Sequence, residues 1–193
     1  HTFQIFHIAH DIHKIETDGS LFEEIIGAIQ EADGVLWAFP LYYLLVSAQY
    51  KRFIELVWER NAAGAFAEKY TAAISTSIHC FDHTAHNYIH AICDDLGMKF
   101  LGSYSADMYD LTIDIERQRF LRFADHFLKG IEKHIVTARG YLPIQQAPFS
   151  YEPQRLVQPT VNDSDKKILI LTDCKPDQTN LARMIDRLKS CFS

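Results

Sequence analysis

The sequence predicts an α/β domain in which helices cover both faces of a parallel sheet. Three short runs, at residues 35–39, 70–75 and 99–104, have the composition of strands, and the first of them is continuously apolar. Between them lie stretches whose apolar residues recur at helical spacing. Regular alternation of strand and helix is typical of parallel sheets, because each connection must cross back over one face of the sheet.

The first elements are a strand, a helix and a second strand. Residues 3–8 are rich in β-forming residues and predict a strand. Ser20 and Glu23 have the spacing of a capping box, which predicts the start of a helix that Asp33 and Gly34 would end. The continuously apolar run at 35–39 predicts a strand that is buried on both faces.

The same alternation continues to about residue 134. Ser47 is predicted to cap the next helix, and Asp82 to cap a helix that ends at Gly97. The first of these helices would turn apolar residues inward, namely Tyr50, Phe53, Ile54, Val57 and Trp58. A long amphipathic helix follows the run at 99–104, with its apolar stripe at Phe120, Leu121, Ala124, Phe127, Leu128 and Ile131.

The chain divides into a body, a connection and a closing unit. Residues 1–134 form the body, and residues 135–166 are Pro-rich and lack periodicity, which predicts an extended surface connection. Residues 167–193 begin with a strand-like run at 167–171. A helix follows, with its inward stripe at Leu181, Met184, Ile185 and Leu188.

Composition excludes several functional classes. The net charge of −6 comes without a basic cluster, which argues against nucleic-acid binding. The longest apolar stretch, residues 35–46, is interrupted by Pro40 and is too short to span a bilayer. Four scattered cysteines without a C-x-x-C pair are typical of reduced thiols in a soluble cytoplasmic protein. No signal peptide is visible, and the start at His1 rather than Met is typical of a fragment or a processed chain.

One motif spans the run at 35–39 and the helix after it. Ala32 and Asp33 precede the apolar run, Pro40 and Tyr42 follow it, and Ser47 opens the helix. The helix then carries Lys51, Phe53, Ile54 and Glu55. This pattern resembles the NADPH-dependent FMN reductase and iron–sulfur flavoprotein branch of the flavodoxin-like families, except that Glu55 replaces the usual Asp. The resemblance extends more loosely over residues 3–134.

The resemblance implies a five-stranded, doubly wound flavodoxin-like sheet that binds FMN and accepts hydride from NAD(P)H. Pro40, Leu41, Tyr42, Tyr43 and Ser47 would hold the flavin ring, since ligands of open α/β sheets bind at the carboxyl edge. The alternative is that the two tyrosines merely cover the core beneath them. The missing cysteine cluster argues against a built-in iron–sulfur centre.

The loop after the run at 70–75 opens on the same edge, and the resemblance implies that it forms the second wall of the flavin site. Hydroxyls of Thr76 and Ser77 suit flavin carbonyls, and His79 or His83 could lie near the reactive centre. For any single histidine here, a plain surface role is the commoner alternative. The family also implies a homodimer with the flavin near the subunit boundary.

The body begins at what would be the second strand of the family's sheet. In the order 2-1-3-4-5 the first strand is central, so the sheet needs that unit from elsewhere. Residues 167–193 have the pattern of a first strand, a phosphate loop and a first helix. Two arrangements fit: this unit completes its own sheet, as in a circular permutation, or it opens a second flavodoxin-like copy and is exchanged with a neighbouring chain.

The phosphate loop of this unit departs from the family pattern. Lys175, Thr179 and Asn180 occupy places where the family wraps the FMN phosphate at a helix N-terminus. Asp173 and Asp177 would repel a phosphate dianion, and the glycines of the family loop are absent. The sequence therefore leaves two functions open, an FMN-binding NAD(P)H-dependent oxidoreductase and a degenerate flavodoxin-like binding module without cofactor.

Other chemistries have weaker signals. The ten histidines include the sets His7, His10, His13 and His83, His86, His90, whose spacing permits a metal site. Without a Glu-x-x-His motif, a solvated histidine-rich face is the better explanation for them. Neither Cys80 nor Cys174 has an identifiable orienting partner, and no Gly-x-Ser-x-Gly elbow is present, so nucleophilic catalysis is not indicated.

Overall fold

The structure is a computed structural model that describes residues 2–145, 148–154, 167–175 and 177–191. The chain forms two compact units, His1–Ile144 and Gln145–Ser193. The first unit contains the sheet. Because it ends at Ile144, it also includes the start of the connection that the sequence places at 135–166.

Two consecutive helices open the first unit, after which strands and helices alternate, and a last helix lies in the second unit. In chain order the helices are α1 (Ile8–Thr17), α2 (Gly19–Glu31), α3 (Ala48–Glu59), α4 (Asp82–Asp95), α5 (Asp114–Glu132) and α6 (Thr179–Lys189). The strands are β1 (Gly34–Pro40), β2 (Tyr70–Thr76) and β3 (Lys99–Ala106). Short 3₁₀ turns occupy Ala63–Ala65 and Asp110–Thr112. No helix among the described residues has the length and apolar character needed to cross a bilayer.

The described strands form one parallel sheet in the order β1-β2-β3. Pro40 pairs with Thr76, and Thr76 pairs with Ala106, so the three strands end level with one another. This confirms the parallel α/β class and the strands predicted at 35–39, 70–75 and 99–104. The three loops that follow the strands therefore open on the same carboxyl edge.

Most of the core lies on the face of the sheet that α3 and α4 help to cover. Trp37 and Phe39 of β1 are buried, and the Trp37 ring stacks on Phe66 at 6.0 Å. Phe53 of α3 and Ile89 of α4 are also buried. On the opposite face of β1, Leu36 is 41% exposed, so the prediction that this strand is buried on both faces is wrong. No strand among the described residues pairs with the outer edge of β1, and this leaves it an edge strand.

The strand predicted at residues 3–8 is not observed. Residues 2–7 have no regular structure, and α1 begins at Ile8. The side chains of Phe3 and Ile5 are largely exposed. A strand exists only when a neighbour pairs with its backbone, and no described strand lies beside this segment.

Helix starts differ from the predictions at two places. Asp18, not Ser20, caps α2 by accepting a hydrogen bond from the Ser20 backbone N–H at 3.0 Å. The residue before α4 is Phe81, in a left-handed conformation, and the Asp82 carboxylate does not cap the helix. Ser47 does cap α3, although Trp58 of that helix is 39% exposed rather than inward.

The chain after α5 is anchored to the end of α4. The Asp94 carboxylate, which is buried, accepts hydrogen bonds from the backbone N–H groups of Gly140 at 2.8 Å and Tyr141 at 2.9 Å. Arg139 donates to the Asp94 carbonyl at 2.5 Å and pairs with Asp95 at 3.0 Å. A buried and a half-buried acidic side chain at the end of a helix therefore fix the start of the predicted connection.

The second unit contains α6, as predicted, but residues 167–171 form no strand with the described residues. Ile168, Leu169 and Leu171 are 61%, 81% and 86% exposed. Residues 146, 147 and 155–166 of the predicted connection and Pro176 of the predicted phosphate loop lie outside the described residues. The five-stranded sheet therefore stays a prediction.

Candidate functional site

The loop after β1 presents two tyrosines at the carboxyl edge. The Leu41 N–H donates to the Thr76 carbonyl at 3.0 Å, which ties the start of the loop to β2. Tyr42 and Leu45 then exchange two backbone hydrogen bonds, of 2.7 and 3.1 Å, around a tight turn. Tyr43 and Leu44 at the tip have positive φ angles of 46° and 74°.

These tyrosines do not cover the core. Tyr42 is 60% exposed, and Tyr43 is fully exposed at the tip of the turn. A turn closed by its own hydrogen bonds holds both rings out at the edge of the sheet. The alternative interpretation, in which they shield the core beneath, is wrong.

Ser47 lies at the base of the same loop but its hydroxyl is already used. Its Oγ accepts a hydrogen bond from the Tyr50 backbone N–H at 3.3 Å as the N-cap of α3. Ser47 thus sets the direction in which α3 leaves the edge.

The loop after β2 is held by a carboxylate. Ser77 donates its hydroxyl proton to Asp82 Oδ1 at 2.6 Å, and its Oγ accepts the His79 backbone N–H at 2.9 Å. His79 has a positive φ of 56°. Thr76, the last residue of β2, is exposed beside Pro40, its partner in the sheet.

A third loop, after β3, was not predicted as part of the site. Asp110 lies in the 3₁₀ turn of this loop, and its Oδ2 accepts the Asp107 backbone N–H at 2.8 Å. The same oxygen lies 2.7 Å from His79 Nε2. The position of this loop in the sequence could have identified it, because a polar loop that follows a third parallel strand must open on the edge that the first two loops share.

Asp82 is the centre of the polar network. Its Oδ2 accepts the Ser105 hydroxyl at 2.6 Å and lies 3.2 Å from His79 Nδ1. Burial acts to raise the pKa of the Asp82 carboxyl, but hydrogen bonds from Ser105, Ser77 and His79 outweigh it and hold the pKa below its ordinary value. Asp82 is therefore an anion at neutral pH.

A histidine beneath the loops extends the network inward. His86 Nε2 lies 2.8 Å from Ser75 Oγ, and Ser75 donates its single proton to Ser105 at 3.1 Å. Ser75 must therefore accept a hydrogen bond from His86, which requires the tautomer that carries its proton on Nε2. Burial lowers the pKa of His86 and keeps it neutral, despite the opposing effect of Asp82. Since Ser75 is buried and donates elsewhere, this Ser–His pair is not an activated nucleophile.

The solvated histidine-rich face is wrong for the set on α4, whereas the set His7, His10 and His13 is exposed as that explanation expects. His86 contacts Ser75, and His90 stacks on Phe100 with ring centroids 4.0 Å apart, so both face inward from α4. His7, His10, His13 and His83 are exposed. In the described part of the chain, no group of histidine, cysteine, aspartate and glutamate side chains could hold a metal ion.

The residues predicted to meet a phosphate lie together in the second unit. Lys175 is exposed, its backbone N–H donates to Gln178 Oε1 at 3.3 Å, and Thr179 is the first residue of α6. The Asn180 amide is already satisfied within this unit, because it accepts the Tyr151 N–H and donates to the Phe149 carbonyl, both at 2.8 Å.

FMN, the cofactor implied by the resemblance, has a flat aromatic ring with carbonyl and imide groups along one edge. The first unit fits such a ring, because exposed tyrosines and hydroxyls meet where the strands end. The backbone N–H groups of Tyr43, Leu44 and Ile78 donate to no acceptor among the described residues, which leaves donors for flavin carbonyls.

Comparison with known proteins agrees with this geometry. The apo form of NADH:FMN oxidoreductase (EMOB) has a TM-score of 0.51 and 19% identity, over 61% of this chain and 64% of that chain. The flavodoxin, WrbA-like protein from Agrobacterium tumefaciens has a TM-score of 0.50 and 13% identity, over 58% of this chain and 74% of that chain. The chain thus spans slightly less than two thirds of the first of these proteins. At such identities the likeness shows a shared flavodoxin-like fold.

The sequence comparison extends over more of the chain than the motif at residues 32–55. No curated protein sequence matches the chain. The sequence model of a family described as NADPH-dependent FMN reductase matches residues 2–108, more than half of the 193 residues. The chain belongs to the NADPH-dependent FMN reductase family.

Proposed function

We propose that this protein is an FMN-binding, NAD(P)H-dependent oxidoreductase that passes electrons to a flavin or quinone-like acceptor. The observation that carries the proposal is the meeting of three loops at one sheet edge, in a chain of the FMN reductase family. Exposed rings and free backbone donors at that edge suit an isoalloxazine.

The protein's own residues bind and orient the ring. Bound FMN supplies the hydride and electron transfer chemistry. Tyr42 and Tyr43 pack against the ring, while backbone N–H groups of the loop after Pro40 donate to its carbonyls. Thr76, Ser77 and His79 form the opposite wall, and Asp82 fixes the shape of that wall through Ser77.

For the phosphate, we propose Lys175 and the N-terminus of α6 at Thr179. Lys175 supplies a cation, and the first turn of a helix supplies backbone N–H groups, of which that of Thr179 already donates to the Asp177 carbonyl at 2.9 Å. Asn180 contributes by holding residues 149–151 against α6 rather than by direct contact.

We propose further that the strand-like run at 167–171 completes a five-stranded flavodoxin-like sheet. The outer edge of β1 has no described partner, and Ile168, Leu169 and Leu171 are exposed. The unpaired backbone groups at the edge of β1 could form hydrogen bonds with the backbone of this run, and its apolar side chains would then be buried. Completion within the same chain is our preferred arrangement, with exchange between chains as the alternative.

The oligomeric state and the location in the cell complete the proposal. We expect a homodimer, because Tyr43, Ile78, Met108 and Tyr109 leave an exposed apolar rim around the site. We expect a cytoplasmic location, because all four cysteines are free. Light scattering after size-exclusion chromatography measures the first, and a mass of about 22.2 kDa would contradict the homodimer.

The absorption spectrum of the purified protein is the first test. We expect flavin bands in the visible range and release of FMN on heating, identified by mass spectrometry. A colourless protein that stays colourless after incubation with excess FMN would contradict the proposal. That result would favour the alternative, a flavodoxin-like binding module without cofactor.

A substitution at the tip of the first loop tests the placement of the ring. Tyr43→Ala should weaken FMN binding about fivefold, since a stacked aromatic pair contributes roughly 1 kcal/mol. The unfolding free energy should not change, because the Tyr43 ring is fully exposed. FMN titration by fluorescence quenching measures the first effect, and urea denaturation measures the second.

A ligand comparison tests the phosphate site. FMN should bind more tightly than riboflavin. Lys175→Gln should reduce the ratio of the riboflavin Kd to the FMN Kd about fivefold, because an exposed ion pair contributes roughly 1 kcal/mol. Lys189→Gln, at the other end of α6, is the matched control. Equal affinities for FMN and riboflavin in the unmodified protein would contradict the assignment.

A further inference from the structure

His79 lies between two carboxylates that belong to different loops. Its Nδ1 is 3.2 Å from Asp82 Oδ2 at the start of α4, and its Nε2 is 2.7 Å from Asp110 Oδ2 in the turn after β3. The imidazole therefore spans the gap between the loop that follows β2 and the loop that follows β3. We call these three side chains the His79 clasp.

The hydrogen bonds around the clasp assign its protons. Asp82 already accepts from Ser77 and Ser105, and Asp110 Oδ2 already accepts from a backbone N–H. Both carboxylates therefore act as acceptors toward the imidazole. A neutral imidazole donates only one hydrogen bond, whereas this position requires a donor at each ring nitrogen. The imidazolium is the form that satisfies the clasp.

We propose that His79, as an imidazolium, is a positioning residue that locks the two loops together and so fixes the FMN site. The proposal rests on the proposed function for its cofactor and on the geometry of the clasp for its mechanism. Loss of one proton removes one of the two charge-assisted hydrogen bonds and releases one loop from the other. FMN affinity should therefore fall as His79 deprotonates.

The surrounding charges agree with this assignment. Asp110 and Asp82 raise the pKa of His79 above the ordinary value of 6.5. Arg119 of α5 interacts with Asp110 but also pairs with Glu116 at 2.6 Å. His86 of α4 faces Ser75 and is neutral, so it adds no competing charge. The contribution of the clasp is complete below pH 6.5 and is lost as pH rises through the raised pKa of His79.

NMR titration of the FMN-free full chain tests the clasp itself. The His79 ring resonance should titrate above the ordinary histidine pKa, and Asp110→Asn should move that titration downward. Asn keeps an acceptor for the Asp107 N–H while it removes the charge, so the turn should survive. His79→Asn identifies the resonance, and Asn tolerates the positive φ of this position.

FMN titration of the same proteins tests the link to the cofactor. Between about pH 6.5 and about pH 9, the Kd of the unmodified protein should rise about two- to fivefold, the range of an exposed charged pair. In His79→Asn the Kd should be raised at the lower pH already and should change little with pH. His79→Lys, which keeps a cation that can donate to both carboxylates, should restore tight binding at both ends of the range.

The outcomes separate the clasp from the function. A His79 that titrates at the ordinary value, unmoved by Asp110→Asn, overturns the clasp. A raised titration with an FMN Kd that is independent of pH and of His79→Asn overturns the positioning role. If no variant and no pH gives FMN binding, the proposed function fails and the positioning role fails with it, while the NMR result still decides the clasp.

Discussion

At the carboxyl edge, some residues hold the loops in place and others expose their side chains to solvent. Asp82 accepts from Ser77, Ser105 and His79, and so connects two strands' ends with α4. Tyr43, by contrast, makes no packing contribution and is fully exposed. A rigid polar base beneath exposed rings is the arrangement that a preorganised ligand site requires.

Removal of the Asp82 charge should loosen this base. We expect Asp82→Asn to lower the unfolding free energy by about 1 to 3 kcal/mol, because several hydrogen bonds to a mostly buried carboxylate weaken together. Urea denaturation at neutral pH measures the effect. Asp125→Asn, in an exposed pair with Lys129, is the control and should change the stability by less than about 0.5 kcal/mol. Equal effects of the two substitutions would contradict the central place of Asp82.

Sequence reasoning found residues that directly follow a strand, and missed those whose role depends on tertiary contact. The position of Tyr43 and His79 at the carboxyl edge could be predicted, because their loops directly follow two strands of the sheet. Asp110 could not, because it reaches the site only through the turn after β3 and the imidazole that lies opposite. The inward position of His86 could not be predicted either, since spacing alone does not tell which face of a helix meets Ser75.

At the scale of elements, pairing decided which strand-like runs became strands. The runs at 35–39, 70–75 and 99–104 lie side by side and form the sheet. The runs at 3–8 and 167–171 have similar compositions but form no strand with the described residues, because neither has a neighbour there. Local composition predicts the capacity for a strand, while the hydrogen-bonded partner determines its presence.

The packing of α5 on the sheet depends on a glycine. A Cβ at Gly130 would overlap Leu101 of β3, whereas a Cβ at Gly27 of α2 would meet no atom within 4 Å. We expect Gly130→Ala to destabilise the protein by about 1 to 3 kcal/mol through overpacking. Gly27→Ala should stabilise it by roughly 0.5 to 1 kcal/mol through helix propensity. Thermal or urea unfolding measures the change in unfolding free energy for each variant. Changes of the same sign in the two variants would contradict the packing described for α5.

At the scale of the whole molecule, the chain consists of two compact units. The first unit contains the edge loops, and the second contains α6 and the strand-like run at 167–171. The proposed five-stranded order needs a central strand beside β1, and the run at 167–171 is our candidate for it. This organisation was predictable from the order of elements, but its completion depends on long-range pairing that no local pattern encodes.

A charge placed in the candidate strand tests its completion of the sheet. If residues 167–171 fill the sheet, Leu169→Asp should lower the unfolding free energy by more than about 2 kcal/mol, because a charge would be buried. Leu142→Asp, at a position 91% exposed, is the matched control and should have little effect. A Leu169→Asp variant as stable as the control would show that this run stays exposed.

Anaerobic addition of NADPH to the FMN-loaded protein tests the central claim most directly. The account predicts that the visible flavin band bleaches much faster than that of the same concentration of free FMN, because the edge loops hold the ring where the nicotinamide can approach it. It predicts that the band returns when oxygen or a quinone is admitted. Bound FMN that bleaches no faster than free FMN, with NADPH or with NADH, would contradict an oxidoreductase function and leave a flavin-binding module.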